Sequence, residues 1–207
     1  MPDYPPVKEF NFLDKVRMIC TWESLDGYQV HKLTLGNVIA EIGEVEIVTD
    51  SHVDDYAALH ASPGSPIANS QITHVTLAID VCDFQESTNH ILVFGFDDYM
   101  EVPIADYGVF ARFRIGVDNK LYIESSDEDH YERVDTGVVV PINKVGRFKI
   151  IQTPLTKFEF YRNNVLVGTL STHIPSFVLK TFFVCLQAKN AFKKGVWLGT
   201  VIEEIAY

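Results

Sequence analysis

Residues 71–81 of the chain read QITHVTLAIDV, and this stretch decides the class of fold. Its side chains form two alternating sets. The largely apolar set comprises Thr73, Val75, Leu77, Ile79 and Val81. The more polar set comprises Ile72, His74, Thr76, Ala78 and Asp80. An alternation with a period of two residues is typical of a β-strand that has one face in the core and one in water. The stretch therefore predicts a half-buried strand.

The same alternation recurs along the chain. In VFARFRIG, Ala111, Phe113 and Ile115 form an apolar face opposite Arg112 and Arg114. Further short strands are predicted at KLYIE, GRFKII, KFEFYR, TFFVCLQA and VWLGTVIEEI. TFFVCLQA is apolar on both faces, which predicts a central strand that is covered on both sides. Many short strands and few helices predict an all-β protein, built as an antiparallel β-sandwich or a barrel.

One segment, DSHVDDYAALHA at residues 50–61, predicts a single short helix. Ser51 and Asp54 fit a capping box ahead of an apolar run. The segment also has two histidines and two aspartates close in sequence, a combination that can bind a transition metal: His52, Asp54, Asp55 and His60. The two histidines would lie about two turns apart on a helix. We therefore expect a capped surface helix rather than a metal site.

Length and composition indicate one domain. A chain of 207 residues, 47% of them hydrophobic, can bury one sizeable core. No linker-like stretch divides the sequence, so we expect a single sandwich over residues 9–207. The proline-rich residues 1–8 predict an extended arm.

Charge and cysteine content restrict the partners and the compartment. The formal net charge of −11 and the absence of a basic stripe argue against nucleic acid. No apolar run approaches the ~20 residues of a membrane helix, and the amino terminus lacks the pattern of a secretory signal. Cys20, Cys82 and Cys185 lie in apolar runs, where we expect buried thiols. We expect a soluble protein that folds in a reducing compartment, such as the cytoplasm or a virion.

The last third of the chain shows an ordered series of strand patterns. It reads GRFKIIQTPLTKFEFYRNNVLVGTL, then THIPSFVLKTFFVCLQAKN, then GVWLGTVIEEIAY. This order resembles the concanavalin A-like sandwich superfamily, which includes laminin-G-like domains, lectins and glycanases, and the resemblance covers about residues 70–207. Asn163-Asn164 replaces the common Asp-Gly or Asn-Gly turn, but asparagine tolerates positive φ and can close a primed turn. The resemblance implies a jelly roll of two antiparallel sheets, on whose concave face relatives bind or cut glycans.

Glu44 and Glu46 are the candidate catalytic acids. Glycanases of this superfamily carry Glu-x-Asp-x-Glu or Glu-x-Asp-x-x-Glu on one strand, and a retaining enzyme needs two carboxyl groups. When the pattern is laid from Glu44, its last acid falls on Val48 or Thr49, so the general acid is missing. The alternation also places Glu44 and Glu46 on a solvated face. We favour a protein without catalysis and keep a glycoside hydrolase or polysaccharide lyase as an alternative.

Candidate ligand-binding residues lie in or next to predicted loops. They are Trp22, Tyr28, Asp97, Asp98 and Tyr99. An exposed aromatic ring can stack on a sugar, and nearby carboxylates can bind its hydroxyl groups. These residues favour a carbohydrate ligand.

Two acidic segments were considered as cation sites. FGFDDYMEVPIADYG offers oxygen ligands suited to calcium, but its spacing matches no calcium loop. ESSDEDHYERVD, residues 124–135, is interpreted as a polar hairpin connection. We therefore expect no cofactor and no metal-binding residues, and keep calcium as an alternative.

Two functional hypotheses remain. The first is a non-catalytic recognition module that binds a glycan. The second is a structural or assembly protein, such as a viral or phage coat, decoration or tail component. In that case the proline-rich arm would contact a protein partner or a second copy in a homo-oligomer.

Overall fold

A computed structural model describes residues 10–11, 15–20, 29–32, 37–41, 44–49, 52–61, 72–84, 89–97, 108–141, 145–179, 181–189 and 195–206. The strands in this part of the chain are β1 Phe10–Asn11, β2 Lys15–Cys20, β3 Gln29–Lys32, β4 Asn37–Glu41, β5 Glu44–Val48, β6 Tyr56–Ala61, β7 His74–Phe84, β8 His90–Asp97, β9 Gly108–Ile115, β10 Lys120–Glu128, β11 Tyr131–Val139, β12 Gly146–Thr153, β13 Lys157–Arg162, β14 Val165–Leu170, β15 Phe182–Ala188 and β16 Gly195–Ala206.

These strands form two antiparallel sheets. The nine-stranded sheet has the order β1-β2-β16-β7-β12-β13-β14, with β5 paired to β16 and β4 paired to β5. The seven-stranded sheet has the order β11-β10-β9-β8-β15-β6-β3. The predicted all-β antiparallel sandwich is confirmed.

The core lies between the inner faces of the two sheets. Phe94 and Phe113 of the seven-stranded sheet meet Phe148 of the nine-stranded sheet edge to face, with ring centroids 4.8 Å and 5.0 Å apart. On β7, the set that the sequence assigned to the core is buried from Val75 to Val81. The alternation is therefore confirmed over residues 74–81, and it is wrong at Ile72, which is buried, and Thr73, which is exposed.

The predicted helix at residues 50–61 is wrong. Residues 52–54 form a turn, in which Asp54 has a φ of 63° and the amide of Asp55 donates to the carbonyl of His52. The following residues form strand β6, which pairs with β15 on one side and β3 on the other. The left-handed conformation at Asp54 ends the turn, and two neighbouring strands satisfy the backbone of this apolar run. Within the described part of the chain, no helix has the length and apolar content needed to cross a membrane.

Two local predictions are confirmed. Asn163 and Asn164 have φ values of 49° and 65°, as a primed turn requires, and they connect β13 to β14. Strand β15 lies between β8 and β6, and its first five residues, Phe182–Leu186, are all buried. It is the central, doubly covered strand that the sequence indicated.

The cysteine predictions are confirmed in part. Cys185 is buried, as expected. Cys82 is exposed, so the prediction for it was wrong, because it lies on the face of β7 that points away from the core. The side chain of Cys20 and the arm at residues 1–8 lie outside the described residues.

Candidate functional site

Charged side chains lie on the outer face of the seven-stranded sheet, which is the face opposite the core. Arg112 and Arg114 of β9 lie there, as the alternation predicts, yet only 1% and 6% of their surfaces are exposed. An isolated charge at such burial is very unfavourable and requires partners. Anionic partners come from the two strands next to β9, which are β8 and β10.

Glu124 of β10 is the centre of this cluster. It lies opposite Arg112 in the pairing of β10 with β9, and opposite Arg133 in the pairing with β11. Paired residues of adjacent strands share a face, so this register brings the carboxylate between guanidinium groups. Asp97, at the end of β8, contacts Arg112 from the other side.

The contacts in this cluster are short. Nε of Arg112 donates to Oε2 of Glu124 over 2.7 Å, and Nη1 of Arg112 donates to Oδ2 of Asp97 over 3.1 Å. Nε of Arg114 and Nε of Arg133 donate to Oε1 of Glu124 over 2.5 Å and 2.6 Å. We call these five residues, Asp97, Arg112, Arg114, Glu124 and Arg133, the ion network.

Charge and burial set the protonation of two groups on this face, Glu124 and Cys185. Burial raises the pKa of Glu124, but the combined effect of Arg112 and Arg114 is larger and lowers this pKa to about 2. Cys185 lies on the same face, where burial raises the pKa of its thiol well above the ordinary range. Glu124 is therefore an ionised acceptor at neutral pH, and Cys185 is a protonated, inert thiol.

Part of this face is accessible, at the strands β10 and β11. Tyr122 and Tyr131 are half-buried, and the side chain of Arg133 is 35% exposed. The hydroxyl of Tyr131 donates to Oε1 of Glu124 over 3.1 Å, and the hydroxyl of Tyr122 donates to Oδ2 of Asp118 over 2.7 Å. The guanidinium carbon of Arg133 lies 5.3 Å from the centroid of the Tyr131 ring. We call Tyr122, Tyr131 and Arg133 the β10–β11 patch.

The β10–β11 patch offers two kinds of contact. The tyrosine rings provide flat apolar surface, and their hydroxyl groups are held by carboxylates. Arg133 provides a planar set of donors, one of which is already bound to the buried Glu124. The patch can therefore contact a ligand that has both an apolar face and hydroxyl or carboxylate oxygens.

The predicted ligand-binding residues are only partly described. Asp97 is 2% exposed and belongs to the ion network. Trp22, Tyr28, Asp98 and Tyr99 lie outside the described residues. Because Arg112 occupies one oxygen of Asp97, this carboxylate already has a cationic partner. Calcium binding in the segment 94–108 stays an untested alternative to the expectation of no metal.

The candidate acids lie on the other sheet. Glu44 is exposed and Glu46 half-buried on β5, while Val45 and Ile47 are fully buried, so the predicted alternation is confirmed. Thr49, at the last position of the longer of the two acid patterns, is buried, and its Oγ1 lies 3.0 Å from Nε2 of His90. Catalysis by Glu44 and Glu46 stays an untested alternative to the favoured function without catalysis.

The fold resembles that of several solved structures. The metal-free carbohydrate recognition domain of Emp46p matches with a TM-score of 0.62 at 9% identity, over 88% of this chain and 93% of that one. A botulinum neurotoxin type C, whose cell entry depends on two ganglioside molecules, matches with a TM-score of 0.55 at 12% identity, over 85% of this chain. A sialidase matches with a TM-score of 0.52 at 11% identity, over 87% of this chain.

These similarities define the class of fold. The chain spans 42% of the toxin and 16% of the sialidase, so in those two proteins it corresponds to one part of a larger molecule. No protein-family model and no curated protein sequence matches the chain. The structure is an antiparallel β-sandwich whose fold is similar to that of the Emp46p domain.

Proposed function

We propose that the protein is a non-catalytic carbohydrate-recognition module that binds its ligand through the β10–β11 patch. The observation that carries this proposal is the placement of Tyr131 and Arg133. Both are accessible, and both are hydrogen-bonded to Glu124, a carboxylate that is itself fully buried. The groups that would contact a sugar are thus fixed before it arrives.

The energetics of the ion network support this interpretation. Removing charged groups from water is unfavourable, and apolar residues at such positions are often as stable or more stable. The sheet nevertheless buries Arg112, Glu124 and Asp97 on the face away from its core. Local arrangements that disfavour stability are typical of functional sites. Here the arrangement reduces the conformational freedom that Arg133 and Tyr131 would lose on binding.

The structural neighbours support a sugar as the ligand class. The Emp46p structure is that of a carbohydrate recognition domain, and the cell entry of the neurotoxin depends on its interaction with two ganglioside molecules. The β10–β11 patch has the residue types that such ligands require, since aromatic rings contact sugar faces and arginine donates to oxygens.

A glycan array of neutral and acidic oligosaccharides tests the proposal. We expect one class of ligand to bind the unmodified protein, and Arg133→Gln and Tyr122→Ala to weaken this binding at least ~10-fold each. A hydrogen bond from a charged group contributes about 1.5–3 kcal/mol, which corresponds to a factor of this size. Tyr122 is outside the ion network, so its replacement leaves the network intact.

The matched control is a similar pair on the other sheet. Nζ of Lys149 lies 4.3 Å from the centroid of the Tyr161 ring. Lys149→Gln removes the cation from that pair and is expected to leave binding unchanged. A silent array, or equal losses from Lys149→Gln and Arg133→Gln, would reject the β10–β11 patch as the binding site.

An assembly role is the second candidate, and one observation favours it. Strand β14 ends the path of the nine-stranded sheet among the described strands, and 66% of Val165 and 50% of Leu166 are exposed on it. An edge strand with exposed apolar residues can pair with another chain. Light scattering distinguishes the candidates, because an assembly protein forms a defined oligomer, whereas a recognition module needs none.

A further inference from the structure

A second cluster lies at the tip of the β10–β11 hairpin. Nδ1 of His130 is 3.4 Å from Oδ1 of Asp127, and Nδ1 of His173 is 3.7 Å from Oδ2 of the same carboxylate. The two imidazole rings are stacked, with centroids 5.2 Å apart and planes inclined by 18°. One donor atom from each of the three residues lies within 4.8 Å of the other two.

The hairpin fixes two of the three groups. The backbone amide of His130 donates to Oδ1 of Asp127 over 2.9 Å, and the amide of Asp127 donates to the carbonyl of His130 over 3.2 Å. These bonds close the turn between β10 and β11. They hold the carboxylate and the first imidazole on the same side of the turn.

The connection between β14 and β15 supplies the third group. Oγ of Ser125 donates to the carbonyl of Thr172, and Oγ1 of Thr172 donates to the carboxylate of Glu132. Farther along, the buried Gln152 accepts from the amide of Leu179. His173 itself has a φ of 51°, a conformation that turns the chain. This connection therefore holds His173 against the hairpin.

We propose that Asp127, His130 and His173 form a binding site for a divalent transition metal ion, with Zn²⁺ as the occupant. Zinc bonds of about 2.0–2.1 Å in a tetrahedral arrangement place neighbouring donor atoms roughly 3.3 Å apart. The two distances from the histidines to the carboxylate, 3.4 Å and 3.7 Å, are close to this value. The two distances go to different oxygens of the carboxylate, and the three donor atoms lie within 4.8 Å of one another. Binding one ion would therefore require side-chain rotations that bring these donors closer together.

The donor set selects the kind of ion. Two imidazole nitrogens and one carboxylate oxygen suit zinc, copper or nickel, whereas calcium and magnesium require oxygen ligands. The side chains of His130 and His173 are 65% and 32% exposed, so an ion can reach them. Three protein donors leave a position for water. A bound ion would join the hairpin of the seven-stranded sheet to the connection that leaves the nine-stranded sheet.

Calorimetric titration of the metal-free chain with Zn²⁺ tests this site. We expect one equivalent of Zn²⁺ to bind and to raise the melting temperature, because an ion that binds only the folded state stabilises it. Asp127→Asn and His173→Gln each remove a direct ligand. Each should weaken Zn²⁺ binding by more than ~100-fold, because loss of a residue that only orients a metal ligand already costs roughly 10–100-fold. The control is His52→Gln, which alters an exposed histidine before β6 and should change nothing.

A spectroscopic measurement on the unmodified chain tests the same site without substitutions, which could themselves disturb folding. Co²⁺ added to the unmodified chain should broaden the imidazole resonances of His130 and His173 before those of the other histidines. The proposal is overturned if no Zn²⁺ binds, if Asp127→Asn and His173→Gln bind it like the unmodified chain, or if Co²⁺ broadens other histidines first. None of these outcomes depends on a glycan, so this site and the proposed function fail separately.

Discussion

Replacing Glu124 with glutamine is expected to lower the free energy of unfolding by about 3–5 kcal/mol at pH 7. The substitution keeps the size of the side chain but removes its charge. Arg112 and Arg114, which are almost fully buried, then lose the anion that neutralises them. Chemical denaturation followed by tryptophan fluorescence or circular dichroism measures the change.

The control for this substitution is a carboxylate on the other sheet. Glu159 of β13 lies 3.2 Å from Nζ of Lys157 in a pair that is partly exposed. Glu159→Gln is expected to change the free energy of unfolding by less than about 1 kcal/mol, because exposed ion pairs contribute little. Equal effects of Glu124→Gln and Glu159→Gln would show that Glu124 does not neutralise the buried guanidinium groups.

The pH dependence of this contribution follows from the lowered pKa of Glu124. The pKa is about 2 in the folded protein, against an ordinary value of 4.5. A group with a lowered folded-state pKa binds more protons when the chain unfolds. Its contribution, about 3 kcal/mol from this difference, is therefore complete above pH 4.5 and is lost as the pH falls towards 2. The gap in stability between the unmodified protein and Glu124→Gln should narrow over that interval.

Phe113→Ala is the second substitution with a large expected effect, a loss of about 3–5 kcal/mol. Phe113 is buried at the centre of the sandwich, where its ring centroid lies 5.0 Å from that of Phe148 and 5.2 Å from that of Phe160. Alanine would leave a cavity between the two sheets. The midpoint of chemical denaturation should fall accordingly.

Leu166→Ala is the control for Phe113→Ala. Leu166 is half exposed on β14, so its truncation removes little buried surface. We expect a change below about 1 kcal/mol. If Phe113→Ala were equally mild, the aromatic contacts between the sheets would not hold the sandwich together.

The fold was predictable wherever one face of a strand is apolar and the other polar. β7 shows this, since Val75 to Val81 face the core as the alternation indicated. The segment Tyr56–Ala61 was not predictable, because a short apolar run suits a helix and a strand equally well. This segment is a strand because it pairs with β15 and β3. Pairing between strands that are distant in sequence cannot be read from the residues of the segment itself.

The candidate site was less predictable than the fold. Arg112 and Arg114 were recognised as the polar face of β9, but alternation cannot distinguish a solvated face from a buried one. Glu124 lies on the next strand along the chain, but only the pairing of β9 with β10 places it opposite Arg112. The Asp127 cluster was interpreted as a polar turn, since His173 is far from it in sequence and reaches it only through the fold.

The most direct test of the proposed function is to map, by nuclear magnetic resonance, the surface of the protein that the glycan contacts. The isotope-labelled chain is titrated to saturation with the strongest ligand from the array. The β10–β11 patch as the binding site predicts that the largest shifts fall on the amides and side chains of Tyr122, Tyr131 and Arg133. Shifts centred on Glu44 and Glu46, or an unchanged spectrum at saturating ligand, would contradict recognition through this patch.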